Sequence, residues 1–246
     1  MNLKGRRQST NVDDRRSSGK KVAIGGGIGA IIIAAVMTLL NGGGAGDVVQ
    51  QVISTATSSQ QTENYTPTAQ EEEFAVFAKQ ILASTEDVWT AEFKKMGRTY
   101  KAPTMVLFHS SVQSGCGNAT SAVGPFYCSA DECLYLDLDF FNEMPKSLGA
   151  GGDFAYAYVI AHEVGHHVEH LLGILDEAHS TMSRQNETER NKTSVRIELL
   201  ADYYAGVWGY HENKMFGSMD EGDLKEAIDA AQKIGDDYLQ KRARGQ

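Results

Sequence analysis

The large apolar residues Phe74, Phe77, Ile81, Leu82, Val88, Trp89 and Phe93 recur at helical spacing, which predicts one long amphipathic helix. Thr68 stands where a cap would. Glu71, Glu72 and Glu73 fall in the first turn, where the positive end of the helix dipole favours anions, and Gly97 ends the run. The period then changes. Thr104 to Phe108 is a short β-type run, a glycine-punctuated loop follows, and Leu134, Leu136 and Leu138 alternate with Tyr135 and Asp137 as in a half-buried strand. Phe126 to Leu138 reads as a hairpin. Helical spacing returns over roughly 153–172, 194–211 and 221–242. Helix, strands, then helices predicts an α+β domain.

A different pattern precedes it. Val22 to Leu40 (VAIGGGIGAIIIAAVMTLL) carries no charge and has about the length needed to cross a hydrocarbon core of roughly 30 Å. It exceeds the apolar segment of a secretory signal. Residues 1–21 hold seven basic side chains against Asp13 and Asp14. The division expected is a basic tail over 1–21, a transmembrane helix over 22–41, a Ser, Thr and Gln-rich flexible linker over 42–68, and a folded domain over 69–246. The positive-inside tendency puts the tail in the cytoplasm and the domain outside. The net charge of −9 argues against nucleic acid as a partner. Three cysteines are too few for a disulfide scaffold.

The chemistry concentrates in His162-Glu163-Val164-Gly165-His166-His167-Val168-Glu169-His170. On a helix His162 and His166 are i and i+4, so both imidazoles reach one metal ion. Glu163 lies about 100° around the axis, beside those ligands. This is the HExxH arrangement, in which Zn²⁺ acidifies a water and the Glu takes its proton as the water attacks a carbonyl. Gly165 in mid-helix costs about 1 kcal/mol relative to Ala, which points to close packing at that position. A catalytic zinc keeps three protein ligands. Glu169 and Leu172 stand where a metzincin would have Gly and His, so the third ligand is sought elsewhere. In the next helix Glu198 and Asp202 are again i and i+4, Glu198 as ligand and Asp202 as hydrogen-bond acceptor behind a ligating His. His167, His170, His179 and His211 are read as surface or supporting residues, with His170 a reserve ligand.

The chain resembles the membrane-anchored neutral zinc metallopeptidases of bacteria. The likeness rests on Gly5-Arg6-Arg7, Asn11-Val12-Asp13-Asp14-Arg15-Arg16, Gly115-Cys116-Gly117, Gly124-Pro125-Phe126-Tyr127-Cys128, Tyr135-Leu136-Asp137, His162 to His167, and Ala201-Asp202 with Ala205-Gly206-Val207-Trp208. It implies a zincin-like, minimal gluzincin fold with a small antiparallel sheet, anchored in the bacterial cell membrane. It also implies Glu198 as the metal-ligating Glu, a Cys116–Cys128 disulfide that leaves Cys133 free, and peptide or protein substrates held along the outer strand of the hairpin. The chain departs from the family in having Tyr203 where a Cys is expected, and in ending before a segment with a Thr-His-Gly element. The activity expected is metallopeptidase; the alternative is a zinc-binding envelope scaffold with little or no catalysis.

Overall fold

The computed structural model describes residues 1–16, 65–120, 123–149 and 151–234. In chain order the elements are β1 (Val12–Asp14), α1 (Ala69–Lys95), β2 (Thr104–Phe108), β3 (Ser111–Ser114), β4 (Gly117–Thr120), β5 (Phe126–Cys128), β6 (Cys133–Asp137) and α2 (Asp139–Glu143). A π-helical turn over Met144–Leu148 leads to α3 (Asp153–Leu171), α4 (Ile174–Met182), α5 (Glu187–Phe216) and α6 (Asp223–Ile234).

The long helix α1 starts at a reciprocal cap. Thr68 Oγ1 accepts from the Glu71 N–H while the Glu71 carboxylate accepts from the Thr68 N–H. Its apolar face, with Ala78, Ile81, Leu82, Trp89 and Phe93, is buried in the main core. The expected helix at 194–211 starts earlier, at Glu187, where Asn186 caps the Glu189 N–H. Its first two turns are almost wholly polar, so hydrophobic spacing could not reveal them.

The principal sheet has the order β1-β2-β6-β5. β1 runs parallel to β2 and β2 parallel to β6, while only β5 is antiparallel to its neighbour. The expected antiparallel sheet is therefore a mixed one, because the β3–β4 hairpin and β5 form an excursion that returns β6 alongside β2. Alternation sorts its side chains: Met105, Leu107, Leu134 and Leu136 face the helices, whereas Val106, Phe108 and Tyr135 face the β3–β4 hairpin. A disulfide joins Cys116, in the turn of that hairpin, to Cys128 at the end of β5. Cys133 is a free thiol.

The structure does not bear out the expected membrane architecture. The apolar run at 22–41 lies outside the described residues, as does most of the 42–68 spacer, and among the described residues no helix is long and apolar enough to cross a membrane. The basic segment is no separate cytoplasmic tail, since Val12, Asp13 and Asp14 pair with Met105, Val106 and Leu107 in the same sheet as β6. Arg6 also reaches Glu212 on α5 at 2.8 Å. Strands of one sheet occupy one compartment, so a single crossing that puts residues 1–16 and the domain on opposite sides is excluded. The expected bitopic placement, cell-membrane localisation and membrane partner are withdrawn.

Candidate metal centre

Helices α3 and α5 hold the residues singled out as candidate ligands, and glycine sets their separation. A Cβ built on Gly165 would lie 2.8 Å from the carbonyl oxygen of Ala201 and 3.0 Å from its Cα, so only Gly fits this crossing. α3 begins at Gly152, whose φ is +110°, with the N–H of Phe154 donating to Glu226 on α6 at 3.1 Å. That carboxylate takes one of the unpaired amides of the first turn.

Across the Gly165–Ala201 contact, the ligand atoms of His162, His166 and Glu198 all lie within 4.8 Å of one another. Glu198 Oε2 is 3.3 Å from His162 Nε2 and 3.6 Å from His166 Nε2. The outer nitrogens are held from behind: His162 Nδ1 meets Asp202 Oδ1 at 2.8 Å and His166 Nδ1 meets Glu169 Oε2 at 2.9 Å. The hydroxyl of Tyr158 also donates to Asp202 Oδ1. Glu163, 9% exposed, lines the same cleft as these three residues, together with Val123, Pro125, Phe140 and Val159.

The electrostatics follow from the convergence of carboxylates on two rings. Burial alone would lower His162, but its hydrogen bonds to Asp202 and Glu198 and the nearby charge of Glu163 raise it to about 9. His166 is likewise raised, to about 10, against burial, by Glu169 and Glu198. Glu198 is lowered to about 2, its contacts with the two rings outweighing burial. Glu169 is fully buried, and its Oε1 has no hydrogen-bond partner. A buried carboxyl oxygen without a partner costs free energy that a cation close by would offset. Two imidazole nitrogens and a carboxylate are donors that suit zinc, and a dication between Glu163, Glu169, Glu198 and Asp202 fits that charge balance.

The other histidines lie elsewhere. His167 is fully buried, with Nε2 donating to the Lys101 carbonyl at 2.7 Å and Nδ1 accepting from the Tyr127 hydroxyl at 2.9 Å. Burial lowers it to about 4, so it stays neutral. His170 Nδ1 is turned to Asp176 at 3.4 Å, His211 Nε2 lies 3.4 Å from Glu92, and His179 is exposed on α4. Sequence reasoning missed Glu169 and Tyr158. Both sit at helical spacing from the two histidines of the cleft, Glu169 at i+3 from His166 and Tyr158 at i−4 from His162, and that spacing is the signal that could have found them.

A family described as "Putative neutral zinc metallopeptidase" matches residues 1–246. The uncharacterized protein YpfJ of Escherichia coli K12 is 44% identical over 252 residues, covering 100% of this chain and 87% of the relative. The uncharacterized protein Mb2605 of Mycobacterium bovis is 40% identical over 172 residues, covering 66% of this chain and 56% of the relative. No solved structure matches the chain.

Proposed function

Because the chain belongs to the family described as putative neutral zinc metallopeptidases, we propose that it is a zinc-dependent peptidase whose reaction takes place in the α3–α5 cleft. His162 and His166 would hold the metal through Nε2 and Glu198 through its carboxylate. When bound, zinc supplies Lewis acidity that polarises a peptide carbonyl and makes water acidic near neutral pH. Asp202 and Glu169 accept from the outer nitrogens of the two rings and so fix the tautomer that leaves each Nε2 lone pair toward the metal. Glu198 stays ionised throughout the neutral range.

Glu163 is the general base. It takes the proton of the attacking water, then returns it to the departing amine as the C–N bond breaks. Its place one residue after His162 puts it on the cleft side of α3. Peptides or proteins are the substrates, as the family description suggests. The observation that carries the reading is the convergence of two ring nitrogens and one carboxylate oxygen, each ring backed by a second carboxylate.

The test is Glu163→Gln. The variant should bind zinc as the wild type does and lose at least about 10²-fold in peptide cleavage. A zinc-loaded wild type that cleaves nothing in a broad peptide library would overturn the peptidase reading and leave metal binding alone.

A further inference from the structure

Tyr158 stands one helical turn before His162, so Tyr158, His162 and His166 form a single i, i+4, i+8 row along the face of α3 that meets α5. The Tyr158 and His162 rings lie 6.1 Å apart between centroids, and those of His162 and His166 4.9 Å apart. Two donors from this row, the Tyr158 hydroxyl and His162 Nδ1–H, converge on the same oxygen, Asp202 Oδ1. The Asp202 side chain is itself 36% exposed, so the protein around it does not confine it by packing alone.

We propose that Tyr158 is a positioning residue of the metal centre: its hydroxyl anchors Asp202 so that this carboxylate keeps His162 in the Nδ1–H tautomer, with Nε2 toward the metal. This rests on the reading of His162 as a ligand. The phenol is the right group for the task. Burial and the neighbouring carboxylates hold it protonated well above neutral pH, so it can only donate to a carboxylate. A half-exposed aspartate with one donor can swing toward water; with a second donor fixed on a rigid helix it keeps one orientation. Without that anchor, His162 is free to exchange its two nitrogens by tautomerism or ring rotation, and part of the metal's binding energy goes into restoring the productive form.

The test uses the full chain and Zn²⁺ alone, by competition with a chelator. Tyr158→Phe keeps the ring and removes only the hydroxyl. It should weaken zinc binding about 10-fold, the lower end of what loss of an outer hydrogen-bond partner costs. The metal-free variant should still unfold in one cooperative transition, only slightly earlier than the wild type as loss of a single hydrogen bond implies, which separates positioning from loss of fold. Introduced into Asp202→Asn, Tyr158→Phe should have little further effect on zinc affinity, since both changes break one chain of hydrogen bonds. In the metal-free proteins, at a pH high enough for the ring to be neutral, the ¹⁵N shifts of His162 should show mixed tautomers in Tyr158→Phe and a single Nδ1–H tautomer in the wild type. Wild-type zinc affinity in Tyr158→Phe, or a loss fully additive with Asp202→Asn, overturns the proposal. Undiminished zinc binding in His162→Ala would overturn the ligand reading as well, which a normal His162→Ala loss would leave standing.

Discussion

Gly165 of α3 and Ala201 of α5 touch backbone to backbone, with no side chain between them at the glycine. This contact lies between the two pairs that matter, His162 and His166 on one helix and Glu198 and Asp202 on the other. A residue chosen for its lack of a side chain therefore sets how far the carboxylates stand from the imidazoles.

Gly165→Ala should lower both stability and zinc affinity. Alanine is worth about 1 kcal/mol more than glycine in a helix interior. Against that gain, the new methyl meets a backbone carbonyl that cannot rotate away, and overpacking of this kind costs about 1–3 kcal/mol. The net effect is destabilising if the helices separate, and the ligand atoms separate with them. Urea unfolding of the metal-free protein and a zinc titration of the same variant measure the two parts.

Zinc binding should strengthen steeply as pH rises from about 6 to 9. His162 and His166 are raised to about 9 and about 10, so each must lose its Nε2 proton before it can ligate. The metal-free protein behaves oppositely. Unfolded histidine titrates near 6.5, so the stabilisation from these protonated rings is complete below about 6.5 and is lost as pH climbs through their folded values. Glu198, lowered to about 2, contributes fully above its unfolded value of 4.5 and loses that contribution as pH falls toward 2. The rise in melting temperature on adding zinc should therefore be small at pH 6 and large at pH 9, with proton release detectable by calorimetry in buffers of different ionisation enthalpy.

Glu169→Gln should weaken zinc binding by about 10- to 100-fold, since it replaces the buried carboxylate behind His166 with a neutral amide. The amide can still accept from Nδ1–H, so the ring orientation is kept while the charge is removed. A chelator competition that shows unchanged affinity would mean that the carboxylate's charge does not act on the metal.

Arg6→Met should cost about 3–5 kcal/mol, the usual penalty for removing one member of a buried ion pair. Glu212 is 0% exposed, and its carboxylate is met by Arg6 at 2.8 Å, by Ser218 at 3.0 Å and by Ser84. Ser84 in turn accepts from Trp208 Nε1 at 2.9 Å. Combining Arg6→Met with Glu212→Gln should recover much of the loss, because the stranded charge is gone. Chemical denaturation of the two variants checks this.

What could be read from the residues was what is local. His162, Glu163 and His166 declare themselves by spacing on one helix, and Glu198 with Asp202 by spacing on another; the only long-range assumption was that the two helices meet. Gly165 hinted at that meeting through its cost in a helix. Tyr158 and Glu169 passed unnoticed because an aromatic or a carboxylate on a helix has many commoner explanations. The strand at Val12–Asp14 was hidden for a stronger reason. It offers one apolar residue among polar ones, and its pairing with Met105–Leu107 is a long-range choice that no periodicity encodes. The length of the apolar run after it says that such a segment can cross a membrane, but not on which side the flanking pieces fold.

The docking of residues 1–16 also bears on how the chain reaches its native state. Arg6 leaves the ribosome 206 positions ahead of Glu212, the carboxylate it neutralises. At typical synthesis rates the wait is about 10 to 40 s, during which the early arginine has no buried partner and β1 has no strand to join until β2 appears. Closing this circuit is among the most non-local steps available to the chain, so it should come late, after the helices have already assembled. By contact order, the Arg6–Glu212 pair should form later than the packing of α3 against α5, whose residues lie far closer in sequence.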